Sequence, residues 1–331
     1  MPFDIDLSCI FMYNYSKPVH NLYFIVLEEY MKHLLKLMDL STNEINEILN
    51  LADQLKYEKK NGIEHHHLKG KTLGMIFAKS STRTRVSFEV GMYDLGGMAL
   101  FLSSHDIQLG RGEPVNDTAR VLSGYLDGIM IRTFDQSDVE TLAEYGSIPI
   151  INGLTDYCHP CQVLADLMTI REVKGSIKGN KFCYIGDGNN MANSLIVGGI
   201  KMGMSVSIGC PDSHKPDPEI MKWASENGDF TCTSDIYEAA KDADVLYTDV
   251  WASMGQESEA EERKKIFKGY QINDSVMAVA KPDAMVLHCL PAHREEEITA
   301  KVFEEHAKEI FEEAENRLHA QKAVLVKLMK D

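Results

Sequence analysis

Residues 72–85 run Thr72-Leu73-Gly74-Met75-Ile76-Phe77-Ala78-Lys79-Ser80-Ser81-Thr82-Arg83-Thr84-Arg85. The first six are a short apolar run ending at a polar turn, which predicts a buried strand. From Val86 to about Leu95 the apolar spacing turns helical. Strand, polar turn and helix in that order open a βαβ unit, and such units build parallel sheets. At the junction, Ser81, Thr82, Arg83 and Thr84 gather hydroxyls, free backbone N–H groups and a permanently charged planar fork at a helix start. That donor set suits a phosphate. The plain alternative is a capped helix with solvated arginines.

The same alternation extends on both sides. Upstream, Ser41-Thr42-Asn43-Glu44 reads as a capping box opening an amphipathic helix. Downstream, Met98–Leu102, Gly128–Arg132 and Ile148–Ile151 read as strands, with a helix near Asp138–Tyr145. After a long helix over Gln162–Val173 the pattern restarts: strand Lys181–Ile185, turn Gly186-Asp187-Gly188, helix Asn189–Met202. Further strands follow at Ser205–Ile208, Val245–Thr248 and Met285–Leu287, then a last helix near Ala314–Met329. The fold class is α/β, with two domains, each a parallel sheet flanked by helices, and the active site in the crevice between them. We divide the chain at 31–165 and 166–313, with a final helix over about 314–331 able to pack back on the first domain.

The 331 residues carry 34 Lys+Arg against 50 Asp+Glu, a formal charge of −16. Such a surface repels nucleic acid and anionic membranes, so neither is expected as a partner; a local basic pocket can still hold a small anion. Seven cysteines at irregular spacing give no disulfide framework, and with no export signal visible the expected compartment is the reducing cytoplasm. Residues 1–30 stand apart. Asp4 and Asp6 occupy the place where a signal peptide carries positive charge, and Leu22–Leu27 is too short to span a bilayer. Met31 opens a more conventional start, so 1–30 reads as an upstream extension or as a terminal element packed on the core.

The remaining candidates sit at strand ends, where ligands of open α/β sheets bind. Arg132 ends an apolar strand. His159-Pro160-Cys161-Gln162 opens a helix, and its imidazole and amide can hold a carbonyl and an NH2 group; the plain alternative is a cap with a satisfied histidine. Cys158 and Cys161 form a C-x-x-C without a second ligand pair, so no zinc site is expected, and His65-His66-His67 reads as a solvated loop. Gly186-Asp187-Gly188-Asn189-Asn190-Met191 resembles a dinucleotide fingerprint but has methionine at the third glycine position, which leaves Asn190 as a polar group facing the crevice. Asp249 with Ser253-Met254-Gly255 could bind an ammonium group. His288-Cys289-Leu290-Pro291 and Glu315-Asn316-Arg317 complete the set.

Taken together with Asp117-Thr118-Ala119-Arg120, these motifs resemble the carbamoyltransferase family from about Met31 to the C-terminus. The Ser-Thr-Arg-Thr and His-Pro-x-Gln motifs mark the whole family; the Ser-Met-Gly loop and His-Cys-Leu-Pro are similar to its ornithine-specific branch. The resemblance implies citrulline and phosphate made from carbamoyl phosphate and L-ornithine, without cofactor or metal. It implies that Ser81, Thr82, Arg83 and Thr84 hold the phosphate, and that Arg132, His159 and Thr84 polarise the carbonyl. Gln162 and the carbonyls of Cys289 and Leu290 would hold the amino group, with Arg317 near phosphate and carbonyl. Gln108 would reach a neighbouring subunit's site, which implies a homotrimer or a multiple of trimers. Asn190, Asp249, Ser253 and Met254 would bind ornithine, with Cys289 beside the attacking amine. Glu295 stands where many relatives have glycine. Putrescine is the alternative acceptor; aspartate, a nicotinamide-dependent oxidoreductase and a non-catalytic binding protein fit the motifs less well.

Overall fold

The computed structural model describes residues 31–252 and 259–330. The expectations for residues 1–30 and for Ser253, Met254 and Gly255 lie outside the described residues.

The strands among the described residues are β1 (Thr72–Phe77), β2 (Met98–Ser103), β3 (Gly128–Arg132), β4 (Ile150–Leu154), β5 (Lys181–Ile185), β6 (Ser205–Gly209), β7 (Phe230–Thr233), β8 (Val245–Thr248) and β9 (Met285–His288). Four make one sheet in the order β2-β1-β3-β4 and five make another in the order β7-β6-β5-β8-β9. Every named pairing is parallel. The inner strands β1, β3, β5 and β8 are buried almost throughout, which is why they read as continuous apolar runs rather than alternations.

The helices are α1 (Thr42–Lys60), α2 (Thr82–Asp94), α3 (Val115–Ser123), α4 (Gln136–Tyr145), α5 (Pro160–Lys174), α6 (Asn190–Lys201), α7 (Pro218–Asn227), α8 (Ile236–Ala240), α9 (Ala260–Ile266), α10 (Asp274–Met277), α11 (Ala300–Glu305) and α12 (Ala307–Met329). The largest apolar core gathers residues of α1, α2, α5, α6 and α12 with both sheets, so one hydrophobic mass supports both. The capping box at Ser41 is present, with Glu44 returning a bond to the Ser41 N–H at 2.7 Å. Among the described residues no helix is long and apolar enough to cross a membrane.

Four details differ from the sequence reading. The helix expected from Val86 begins at Thr82, because the Ser81 side chain caps it by accepting from the Thr84 N–H at 3.1 Å; its first turn is polar and hides from hydrophobic periodicity. Strand β7 was not anticipated: four residues with two threonines, at a sheet edge, carry little apolar signal. The last helix starts at Ala307, seven residues early, because its first two turns are mostly charged and so carry little hydrophobic periodicity, although Ile310 and Glu313 there are buried. His65 is not solvated; α12 covers it, and its Nε2 lies 2.7 Å from the buried Lys322 ammonium.

Helix α12 follows the second sheet in sequence yet packs on α5, α1 and α2. Lys56 of α1 fastens it, donating to Glu172 of α5 at 2.7 Å and to Glu312 and Asn316 of α12 at 2.5 and 2.7 Å. α5 itself is one unbroken helix through residues 165 and 166.

Candidate active site

In each sheet the strand order reverses its direction of growth once, between β1 and β3 in the first and between β5 and β8 in the second. Loops leave such a point in opposite directions and open a crevice at the carboxyl ends. The predicted residues come from those four strand ends: Ser81–Thr84 after β1, Arg132 at the end of β3, Asn190 after β5 and Asp249 after β8. They line a single cavity of about 770 Å³, with His159, Gln162, Cys289, Leu290 and Arg317.

One wall is cationic. Arg83, Arg132 and Arg317 all face the cavity. Arg132 and Arg317 are almost wholly buried. Burial, then the nearby Arg317 and Arg83 charges, lowers the Arg132 guanidinium to about 9. Three like charges held this close oppose one another and invite an anion. His159 sits among them, fully enclosed; burial, then Arg317, Arg132 and Arg83, drives its imidazole well below the ordinary range, so it is neutral. Its Nδ1 has no hydrogen-bond partner, and its backbone N–H donates to Ser194 Oγ at 2.8 Å. Pro160 at the first helical position of α5 needs no N–H partner there, and so starts the helix directly beneath this imidazole. Arg317 Nη2 donates to Thr84 Oγ1 at 3.2 Å and its Nη1 to Gln162 Oε1 at 2.6 Å.

The opposite wall is acidic and amidic. Asp249 Oδ1 accepts from the Val250 N–H at 2.8 Å and from the Cys289 thiol at 3.0 Å; Oδ2 accepts from Asn189 Nδ2 at 3.0 Å. Burial, then Asp249, raises the Cys289 thiol well above its usual range, so the sulfur stays protonated. Asn190 Nδ2 donates to the Thr155 carbonyl at 2.7 Å. Asp187 pairs with Arg263; burial raises its carboxyl to about 6 while Arg263 pulls it down. Gly188 is needed for close approach: a Cβ there would lie 2.3 Å from the Lys215 and Pro216 backbone. That approach explains the Gly-x-Gly turn without a dinucleotide.

The Cys289–Leu290 peptide joins the walls. Leu290 has φ +58°, a strained value for leucine. It is held there by the Arg83 Nη2–H on its carbonyl at 2.5 Å and by its own N–H on His288 Nδ1 at 2.9 Å. His288 in turn meets the buried Glu297 through Nε2 at 3.1 Å.

Gln108 is the exception among the described candidates. It lies exposed in a turn over Gln108–Arg111 and does not line the cavity of its own chain. The C-x-x-C pair is structural: Cys158 Sγ points to the Leu35 carbonyl and Gln136, Cys161 Sγ to the Asn152 carbonyl, and burial pushes both thiols up to about 12. Sequence reasoning missed Lys79, Asn189, Asp166 and Glu313. Lys79 is buried, pairs with Asp156 and lies 4.3 Å above the Phe134 ring. Its place two residues past a buried strand was the available signal.

Two sheets of parallel strands with a cationic and an acidic wall lining one cavity suit a transferase that joins an anionic and an amino substrate, and the comparisons give that class. Residues 32–172 match the carbamoyl-P binding domain of aspartate/ornithine carbamoyltransferase, and residues 178–328 match its Asp/Orn binding domain. The chain belongs to the aspartate/ornithine carbamoyltransferase family. The ornithine carbamoyltransferase of Oceanobacillus iheyensis is 57% identical over 305 residues, 91% of this chain and 95% of its own length. The anabolic ornithine carbamoyltransferase of Pyrococcus furiosus is 55% identical over 303 residues, 90% and 96% of the two lengths. The solved structure of ornithine carbamoyltransferase from Pyrococcus furiosus superposes with a TM-score of 0.86 at 54% identity, covering 90% of this chain and 97% of that one.

Proposed function

We infer that the chain is an ornithine carbamoyltransferase, passing the carbamoyl group of carbamoyl phosphate to the δ-amine of L-ornithine to give L-citrulline and phosphate. The observation that carries this is the pairing of walls: guanidiniums beside a neutral imidazole face Asp249 and Cys289 across one cavity. A phosphorylated carbonyl compound suits the first wall and an amino acid's ammonium the second.

In this reading the phosphate rests on the α2 N-terminus against Ser81, Thr82, Arg83 and Thr84, where N–H groups and the helix dipole favour an anion. Arg132, His159 and Thr84 take the carbonyl oxygen. Their donors strengthen as that oxygen gains charge, the effect usually worth most in acyl transfer. A neutral His159 donates a hydrogen bond without adding a fourth positive charge. Gln162 with the Cys289 and Leu290 carbonyls holds the NH2 group, and Arg317 spans phosphate and carbonyl. Asp249 takes the α-ammonium of ornithine, Asn190 its α-carboxylate, and Cys289 flanks the δ-amine. For Ser253 and Met254 the same role rests on the resemblance alone. The δ-amine, protonated in water near a lysine-like pKa of about 10, sheds its proton and attacks the carbonyl carbon. The C–N bond forms and the bond from carbon to the phosphate oxygen breaks; of the two protons the nitrogen gives up, the first goes to solvent before attack and the second to the departing phosphate. No cofactor or metal enters this scheme. Binding both substrates in line contributes of order 7–11 kcal/mol in favourable cases.

We divide the protein into a carbamoyl phosphate half (31–165, with α12 returning to it) and an ornithine half (166–313), the boundary falling inside α5. We also propose a homotrimer, or a multiple of it, in the cytoplasm. The exposed Tyr93, Met98, Leu100 and Phe101 around β2 support burial against another copy, and Gln108 follows on the same edge. The name of the Pyrococcus furiosus relative supports the biosynthetic direction toward arginine.

The deciding experiment measures phosphate release from carbamoyl phosphate with ornithine, putrescine and aspartate in parallel. Preference for ornithine, with citrulline formed, is expected. Preference for putrescine would leave the phosphate wall intact and overturn the Asn190 and Asp249 roles.

A further inference from the structure

Gln162 is an amide whose two ends differ in chemistry but hardly in shape, so something must decide which end faces the cavity. Its surroundings are unusual. Nε2 donates to Asp166 Oδ1 at 2.8 Å and to Glu313 Oε1 at 3.0 Å, both completely buried. An amide nitrogen has two hydrogens, and these two carboxyls take both. On the other side Arg317 Nη1 donates to Oε1 at 2.6 Å. A guanidinium only donates, so the oxygen must face it. The reverse orientation would set N–H against N–H at Arg317 and the amide oxygen against the Glu313 carboxylate.

Two buried acids side by side cannot both be ionised cheaply. Burial, then Glu313, raises Asp166 well above the carboxylate range, and burial also raises Glu313. Glu313 has the better company for a charge: the His288 N–H at 2.8 Å and the Tyr247 hydroxyl at 3.1 Å. Asp166 Oδ2 is buried with no hydrogen-bond partner, so an ionised Asp166 would leave charge unpaired on that oxygen.

We propose that Asp166 and Glu313 are positioning residues that share one proton and lock the Gln162 amide with its oxygen toward the cavity, so that the site accepts a hydrogen bond from an NH2 group on the carbonyl substrate and selects against the same acyl phosphate bearing a methyl group. This rests on the carbamoyl phosphate reading given above. Neither acid touches substrate; each acts through Gln162, one from the same helix and one from α12. The second lone pair of Oε1, beside the one Arg317 uses, is the recognition element.

The test compares dissociation constants of carbamoyl phosphate and acetyl phosphate, which share phosphate and carbonyl and differ in NH2 against CH3. The full chain is expected to favour carbamoyl phosphate. Asp166→Asn is an isostere of the neutral acid and should keep that preference within about twofold. Asp166→Leu removes an acceptor and frees the amide to turn, and should narrow the preference about five- to tenfold, the worth of one hydrogen bond. A preference unchanged in Asp166→Leu, with both ligands weakened alike, would reduce the pair to a structural role and overturn the proposal. No preference in the unsubstituted protein would instead overturn the carbamoyl phosphate reading itself. Should Asp166→Leu not fold, infrared difference spectra of the unsubstituted protein against Asp166→Asn at neutral pH still decide the shared proton. The carbonyl stretch of an un-ionised carboxylic acid should be lost on substitution; its absence from the difference spectrum would overturn the proposal.

Discussion

The two walls of the cavity are built by the same topology and carry opposite chemistry. After β1 and β3 the strand ends supply Arg83 and Arg132; after β5 and β8 they supply Asn189, Asn190 and Asp249. The first wall stores repulsion among its cations, with Arg132 lowered to about 9. The second is internally satisfied, each Asp249 oxygen having a donor. An unneutralised set of guanidiniums gains most from a ligand, so the strongest binding interactions belong to the first wall and finer acceptor selection to the second.

That contrast breaks most easily at Arg132. Arg132→Leu should lower kcat by roughly 10²–10³-fold, the cost of one transition-state donor. The thermal midpoint should hold or rise, since a buried cation repelled by its neighbours is removed. A large fall in the midpoint would mean that Arg132 holds the fold together. Arg83→Ala and Asp249→Asn form a mirrored pair, each removing a charge-assisted contact worth about 1.5–3 kcal/mol. Steady-state kinetics should show the first raising KM for carbamoyl phosphate and the second raising KM for ornithine, each roughly tenfold or more by the same measure. Equal effects on both substrates in either variant would dissolve the two-wall division. Cys289→Ser should weaken ornithine use several-fold, the scale of a single hydrogen bond, with carbamoyl phosphate affinity less affected. Equal losses would make Cys289 mainly structural.

The smallest effect is on stability. His159 is neutral when folded, its imidazole held well below 6.5. The unfolded chain therefore binds the extra proton first as pH falls below about 6.5. Stability present above that pH is lost as pH drops toward the depressed folded value. His159→Gln should flatten the dependence of the denaturation midpoint between about pH 6.5 and 5. An unchanged slope would mean that His159 protonates in the folded protein as freely as in the unfolded one.

Much of this was legible in the sequence, for reasons that differ by residue. Inner strands such as β1 and β5 announce themselves because burial on both faces demands an unbroken apolar run, whereas β7 at the edge makes no such demand. Motif residues at strand ends were found because parallel topology puts function there. Asp166 and Glu313 were not, since an acid inside a helical pattern looks the same whether it meets water or a buried amide. Asp166 sits within an otherwise apolar stretch of α5, the one hint that it had a fixed partner. Thr82 was assigned to a turn because capping, not hydrophobicity, starts α2.

Helix α12 brings Glu313 and Arg317 to a cavity whose other parts were encoded far earlier in the chain. A polypeptide emerging from the ribosome thus builds both sheets while the cleft still lacks its last guanidinium and the acid that orients Gln162. The apolar faces of α1, α2 and α5 wait uncovered until Ala307–Met329 is released. Truncation one turn past Arg317 would strip the buried Leu325 and Leu328 from the seam, and the nascent protein cannot begin turnover before α12 has been made.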